Sequence, residues 1–129
     1  MANNYRCCDL FSHFKIKTLK QDKNERDFFH FLDLIKDGKG DVIDIGANIG
    51  IMTYHLSVTF PTLTIHAFEP MPDNLEVLRK VVMKYKLKNV EIHPVALGER
   101  NGTLKMILPH NGKTKMQGLS HVKHDSIKE

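Results

Sequence analysis

Residues 41–50 read DVIDIGANIG, and the fold follows from how this stretch is built. The run Val42-Ile43-Asp44-Ile45 is short, largely apolar and rich in β-branched residues, as a buried strand is. It halts at Gly46, and Gly46-Ala47-Asn48-Ile49-Gly50 reads as a tight turn. Ile51 to about Phe60 then has the length of a short helix, stopped by Pro61. A parallel strand that passes through a glycine turn into a helix aims that helix's N-terminus at a ligand.

The pattern repeats downstream. Thr62 to Phe68 reads as a second strand and Glu69-Pro70-Met71-Pro72 as a stiff loop. Asp73 is placed to cap a second helix, in which Leu75, Leu78, Val82 and Tyr85 make one apolar stripe. Lys88-Asn89 turns the chain into a third strand, Val90 to Leu97, broken by Gly98. A turn at Glu99–Gly102 leads to a short fourth strand, Thr103 to Leu108. Upstream, Asn24 can cap a helix to about Lys36, with Phe28, Phe31, Leu32 and Ile35 at helical spacing and Gly38 suited to its left-handed end. Residues 1–22 read as a loosely packed lead-in, with Phe11, Phe14 and Leu19 on one face of a short helix. Residues 109–129 read as a polar tail of loop or ragged strand. The expected class is α/β: a Rossmann-like doubly wound parallel sheet, incomplete, comprising the first β-α-β-α-β half and one short additional strand, in a partial cofactor-binding domain over 23–108. Right-handed crossovers set the strand order three-two-one.

Composition narrows the classes. The chain has 129 residues, 41% hydrophobic and 26% charged, which suits one ordinary globular domain. A net charge of +4 is a solvated surface rather than a nucleic-acid footprint, because the arginines are few and dispersed. No stretch approaches the roughly 20 apolar residues of a membrane span. Cys7 and Cys8 are adjacent and poorly placed for a relaxed disulfide; with no apolar leader in MANNYRCCDL, a reducing cytoplasm is the default location.

The turn's spacing speaks to the ligand. A dinucleotide fingerprint, G-x-G-x-x-G, needs its second glycine where the pyrophosphate approaches. Here the turn is G-A-N-I-G, and Asn48 brings bulk to that loop. An amino-acid moiety needs hydrogen bonds rather than a phosphate nest, so S-adenosylmethionine is favoured over a dinucleotide. Gly46 admits a ligand to the backbone, Gly50 opens the helix, and Asn48 tolerates unusual backbone angles. Asp44 has two compatible readings: it caps the turn amides, or it faces the cleft and meets a cationic group. Glu69 ends the second strand, where a carboxylate can accept from ribose hydroxyls. Pro70 and the Val95-Ala96-Leu97 stretch can wall an adenine.

DVIDIGANIGIMT, IHAFEPMPDNLEVLRK and VEIHPVALGERNGTLKM, in that order, resemble the FkbM-type class I S-adenosylmethionine-dependent methyltransferases over about residues 25–108. The resemblance implies a cofactor site with Asp44, Gly46, Ala47, Asn48 and Gly50 at the methionine end, Glu69 on the ribose, and Pro70 and Ala96 beside the adenine. It implies O-methylation of a sugar or other small-molecule or glycan hydroxyl; the catalytic base is not identified. The family pattern continues with strands not found here, so a truncated and inactive form is one expectation. The other readings are a non-catalytic cofactor-binding or oligomerising fragment and half of a dinucleotide-dependent oxidoreductase. Because the first strand is apolar and built for a sheet centre, a cover is expected over it: the N-terminal segment, the tail, or a second copy in a homodimer. No metal site is expected. His121 and His124 lack a third ligand, His55 and His93 read as packed or surface imidazoles, and His66, on the strand three residues before Glu69, is only a minor candidate to neighbour the cleft.

Overall fold

The computed structural model describes residues 2–103, 105–107, 110–111, 114–115 and 121–122. The chain forms two units, residues 1–97 and 98–129. In the first, β1 (Val42–Ile45), β2 (Ile65–Phe68) and β3 (Val90–His93) make a parallel sheet in the order β1-β2-β3. Helix α3 (Ile51–Thr59) joins β1 to β2, and α4 (Pro72–Lys84) joins β2 to β3. This is the incomplete Rossmann-like α/β arrangement that the sequence pattern predicts.

Both crossovers step in one direction, so a common hand lays both helices on one face. The register puts Val42, Asp44, Ile65, Ala67, Val90 and Ile92 on that face. Leu56 and Phe60 of α3, with Leu32 of α2 (Arg26–Ile35), pack over Ile65. Leu75 and Leu78 of α4 pack over Ala67, with Ile92 alongside. The other face carries Ile43, Ile45, His66, Phe68, Glu91 and His93. Nothing among the described residues of this unit roofs it: Ile43 is 60% and Ile45 69% exposed. Among the described residues β1 pairs only with β2, so its outer edge is bare within this unit. Val42 and Gly46 donate to carbonyls of the β2 side, at 2.8 and 2.9 Å. By the period of two, the Ile43 and Ile45 amides point to the open edge. A cleft of about 490 Å³ runs along it, between β1 and residues such as Phe31 and Ile35.

Several local expectations need correction. Residues 1–22 are not a loosely packed lead-in. Ala2–Thr18 is a 17-residue helix, α1, which packs on α3 and α4. Its inner face is Ser12 and Ile16, followed by Leu19, all buried, whereas Phe11 and Phe14 are 50% and 63% exposed. Helix α1 rests on the helices and contributes no strand pairing to β1. Asn24 does not cap α2: Glu25 holds that position without a side-chain bond, and Asp22, whose carboxylate accepts from the Asn24 amide at 3.0 Å, caps the 3-10 turn Lys23–Glu25 ahead of it. The left-handed residue after α2 is Gly40 rather than Gly38. At α4, Met71 holds the cap position and Pro72 the first turn, where its missing N–H is harmless; Asp73 is therefore not the cap. Strand β3 stops at His93 instead of Leu97, since Pro94 offers no ladder donor. Beyond it Val95 and Leu97 are each 51% exposed. His55 is packed, edge-on to Phe29 and Tyr54, and burial, with Lys20 nearby, depresses its pKa to about 4.

Among the described residues of the second unit the strands are of two residues each. β4 (Met106–Ile107) pairs antiparallel with β7 (His121–Val122), and β5 (His110–Asn111) with β6 (Thr114–Lys115). The fourth strand expected over Thr103–Leu108 is thus reduced to β4, paired within its own unit, with Leu104 and Leu108 outside the described residues. His124 also lies outside them. Among the described residues no helix is long and apolar enough to cross a membrane.

Two expected outcomes follow from this packing. Gly50 has φ +86°, and a Cβ there would lie 2.7 Å from Leu78 Cδ1. Gly46 has φ +76°, and a Cβ there would meet nothing within 4 Å. Gly46→Ala should cost about 1–2 kcal/mol in urea unfolding, from backbone strain alone. Gly50→Ala should cost roughly 2–4 kcal/mol, because overpacking adds to the strain; equal losses would show that the α3–α4 contact is loose. Separately, the bare edge of β1 is a template for pairing with a second copy. Sedimentation should show concentration-dependent dimers that Ile43→Lys suppresses, and a monomer at every concentration would contradict it.

Candidate functional site

The carboxyl ends of β1 and β2 lie side by side, the place where ligands bind in open parallel sheets. The turn leaving β1 is laced to the end of β2: Gly46 and Ala47 both donate to the Phe68 carbonyl, at 2.9 and 3.0 Å. Gly46, Asn48 and Gly50 all have positive φ, so the turn doubles back within five residues and delivers α3 against α4.

Glu69 secures this junction. It is 4% exposed. Its Oε2 accepts from the Asn48 amide at 2.9 Å. Its Oε1 accepts from the Met71 amide at 2.8 Å and from Asn74 Nδ2 at 3.2 Å. A carboxylate has about four acceptor positions, so roughly one is left, on Oε2, for a ligand hydroxyl. Asn74 is buried at the first turn of α4, and its Oδ1 has no partner. Glu69 therefore ties the glycine turn, the Pro70 loop and α4 together.

Asp44 takes a different position from a turn cap. It faces the helix side of the sheet and accepts a 2.6 Å hydrogen bond from Thr53 Oγ1 of α3. Burial raises its pKa above the ordinary carboxylate value, the Thr53 bond opposes the rise, and the Glu69 charge adds to it. Asp44, Gly46, Ala47 and Asn48 line one cleft of about 440 Å³, whose far wall is Phe11, Lys15, Leu19 and Glu25. Ala47 turns its side chain into the core beside Ala67, so only its backbone is offered. Gly50 is buried behind the turn. Pro70 is half-buried, and Ala96 is exposed on irregular chain after β3. Neither lines this cleft.

Sequence reading missed the α1 wall, Thr53 and Asn74. Ser12 fastens that wall to the turn, donating to the Ile49 carbonyl at 3.3 Å. The signal was present as Ser12, Ile16 and Leu19 at helical spacing, but the bulkier Phe11 and Phe14 drew the inner face to the wrong side. Thr53 and Asn74 carry no local motif; each is identified only by the carboxylate it meets.

Two curated proteins are similar to the chain. Methyltransferase 1 of Beauveria bassiana (strain ARSEF 2860) is 29% identical over 65 residues, half of this chain and 26% of that protein. The 31-O-demethyl-FK506 methyltransferase FkbM of Streptomyces tacrolimicus is 32% identical over 68 residues, 52% of this chain and 26% of that protein. The chain thus spans about a quarter of the length of the curated relatives it matches. No family model matches it, and no solved structure does. The order of the sheet, the glycine turn and these two matches point the same way: over about half its length, the chain resembles the methyltransferases of the FkbM type.

Proposed function

We propose that this chain holds S-adenosylmethionine at the β1–α3 turn and serves in the O-methylation of a sugar or other small-molecule hydroxyl. The observation that carries the reading is the cleft at the turn. Gly46 presents open backbone to it, with nothing within 4 Å of where a side chain would be, and Asp44 reaches it from the strand. A volume of about 440 Å³ is within the usual range for small-ligand pockets. Its lining carries both signs, the carboxylates of Asp44 and Glu25 and the ammonium of Lys15, which also reaches Asp22 at 3.4 Å, and this suits the zwitterion of an amino-acid moiety.

The bound sulfonium would supply an already activated methyl group. The chain's own part is to bind and orient. Asp44 meets the ammonium, Gly46, Ala47 and Asn48 offer backbone, and Gly50 sets the start of α3. The remaining acceptor position of Glu69 takes one ribose hydroxyl. Pro70 and Ala96 flank the adenine in this reading. The Asn48 amide is held by Glu69 and is withdrawn from a phosphate, which disfavours a dinucleotide.

Isothermal titration with S-adenosylhomocysteine tests this. Saturable binding is expected, weakened roughly 10–100-fold by Asp44→Asn, the range of a charge-assisted hydrogen bond. That variant separates affinity from folding. A carboxyl whose folded pKa is raised contributes stability in full below its unfolded pKa and loses it as pH rises through the folded value. Asp44→Asn should therefore be at least as stable as the parent at neutral pH, with the advantage shrinking as pH falls. No binding, or tighter binding of NADH, would overturn the proposal.

A further inference from the structure

On the open face of the sheet, opposite the cofactor cleft, three side chains from neighbouring strands converge. His66 of β2 stands in register with Glu91 of β3, and His93 lies two residues further along β3. The period of two puts all three on one face. His66 Nδ1 is 3.0 Å from His93 Nε2 and 3.4 Å from Glu91 Oε2, and one ligand atom from each of the three falls within 4.8 Å of the others. On its other nitrogen, His66 Nε2 is 3.4 Å from Asp41 Oδ2. The His93 ring is held flat on Phe68, 4.4 Å between centroids and 14° between planes.

The geometry of the three ligand atoms suits a shared cation. In the tautomer that donates Nε2–H to Asp41, His66 carries its lone pair on Nδ1. That lone pair faces a carboxylate oxygen and a second imidazole nitrogen. The His93 nitrogen can donate one proton into the group, which still leaves the Glu91 oxygen against a lone pair. A cation at the centre satisfies all three at once. Two of the three edges agree: ligands about 2.0–2.1 Å from a tetrahedral zinc ion lie about 3.3 Å apart, against 3.0 and 3.4 Å here. The third, between Glu91 and His93, is within 4.8 Å, a span that a turn of the exposed Glu91 side chain closes. Asp41 then occupies the place of the carboxylate that orients a metal-bound histidine through its far nitrogen.

We propose that His66, Glu91 and His93 form a binding site for a divalent transition metal of the zinc type, with Asp41 as the positioning residue for His66. Two imidazoles and a carboxylate suit zinc over calcium or magnesium. Three protein ligands leave a fourth position for water or an exchangeable ligand, as in open rather than structural sites. Glu91 is 62% exposed at its side chain, so an ion reaches the group from solvent. The site is independent of the methyltransferase reading, because its residues face away from Asp44 and the turn.

The test is calorimetric titration of the full chain, stripped with chelator, with zinc chloride, and cobalt(II) absorption as a second readout. One zinc ion per chain is expected. His93→Ala should abolish binding and Asp41→Asn weaken it roughly 10–100-fold, the usual range for an outer carboxylate. Glu91→Gln alters an exposed side chain, so its loss of zinc would not be loss of fold; far-ultraviolet circular dichroism checks the histidine variant. No saturable uptake, uptake unchanged in His93→Ala and Glu91→Gln, or a cobalt spectrum with a thiolate band from Cys7 and Cys8 would overturn the assignment.

Discussion

The buried carboxylate of Glu69 is the constraint on which the site depends. A charge with 4% exposure is tolerable only when its oxygens are well supplied with donors. Glu69 obtains them from the Asn48 amide, the Met71 amide and Asn74. These belong to the glycine turn, the loop after β2 and the first turn of α4. Gly46 and Gly50 adopt positive φ freely, Asn48 at φ +51° is the one non-glycine of the turn to do so, and the shared Glu69 acceptor, with the two bonds to the Phe68 carbonyl, holds the turn in place. Asn48 can stand where a dinucleotide fingerprint has glycine because its amide serves the protein.

The same geometry explains the one-sidedness of the first unit. Two crossovers of one hand put α3 and α4 on one face, and α1 and α2 add to that side. The face with Ile43 and Ile45, and the edge of β1, remain uncovered among the described residues of this unit. Parallel sheets ordinarily bury both faces. The chain matches 26% of each curated relative, and within the described residues of the first unit one face of the sheet carries helices while the other carries none. The polar cluster at His66 sits on that uncovered face.

Much of this was legible in the chain. DVIDIGANIG fixes β1, the turn and the start of α3, because apolar run, glycine spacing and helix length agree. The position of Glu69 after an apolar strand marks the end of β2. What was not legible depends on contacts distant in sequence. Helix α1 has weak amphipathic patterning, and its inner face is recognisable only against α3 and α4. Strand β3 looked continuous to Leu97 because the apolar residues continue; Pro94 ends it. The cap of α4 looked like Asp73, yet Pro72 moves the helix start forward. Asp44 invited two readings, and the Thr53 hydroxyl supplies a third. His66 and His93 are 27 residues apart, and only the β2–β3 register brings them together.

Amide hydrogen exchange at Asn48 and Met71, followed by NMR in the parent chain and in Glu69→Gln, tests the central claim most directly. A carboxamide has a single acceptor oxygen and cannot serve both amides in the way the two carboxylate oxygens do. Both amides should be slow in the parent, and at least one should exchange roughly 10–100-fold faster in the variant, in proportion to a lost hydrogen bond to a charged acceptor. Fast exchange at both sites in the parent, or unchanged protection in Glu69→Gln, would contradict the account.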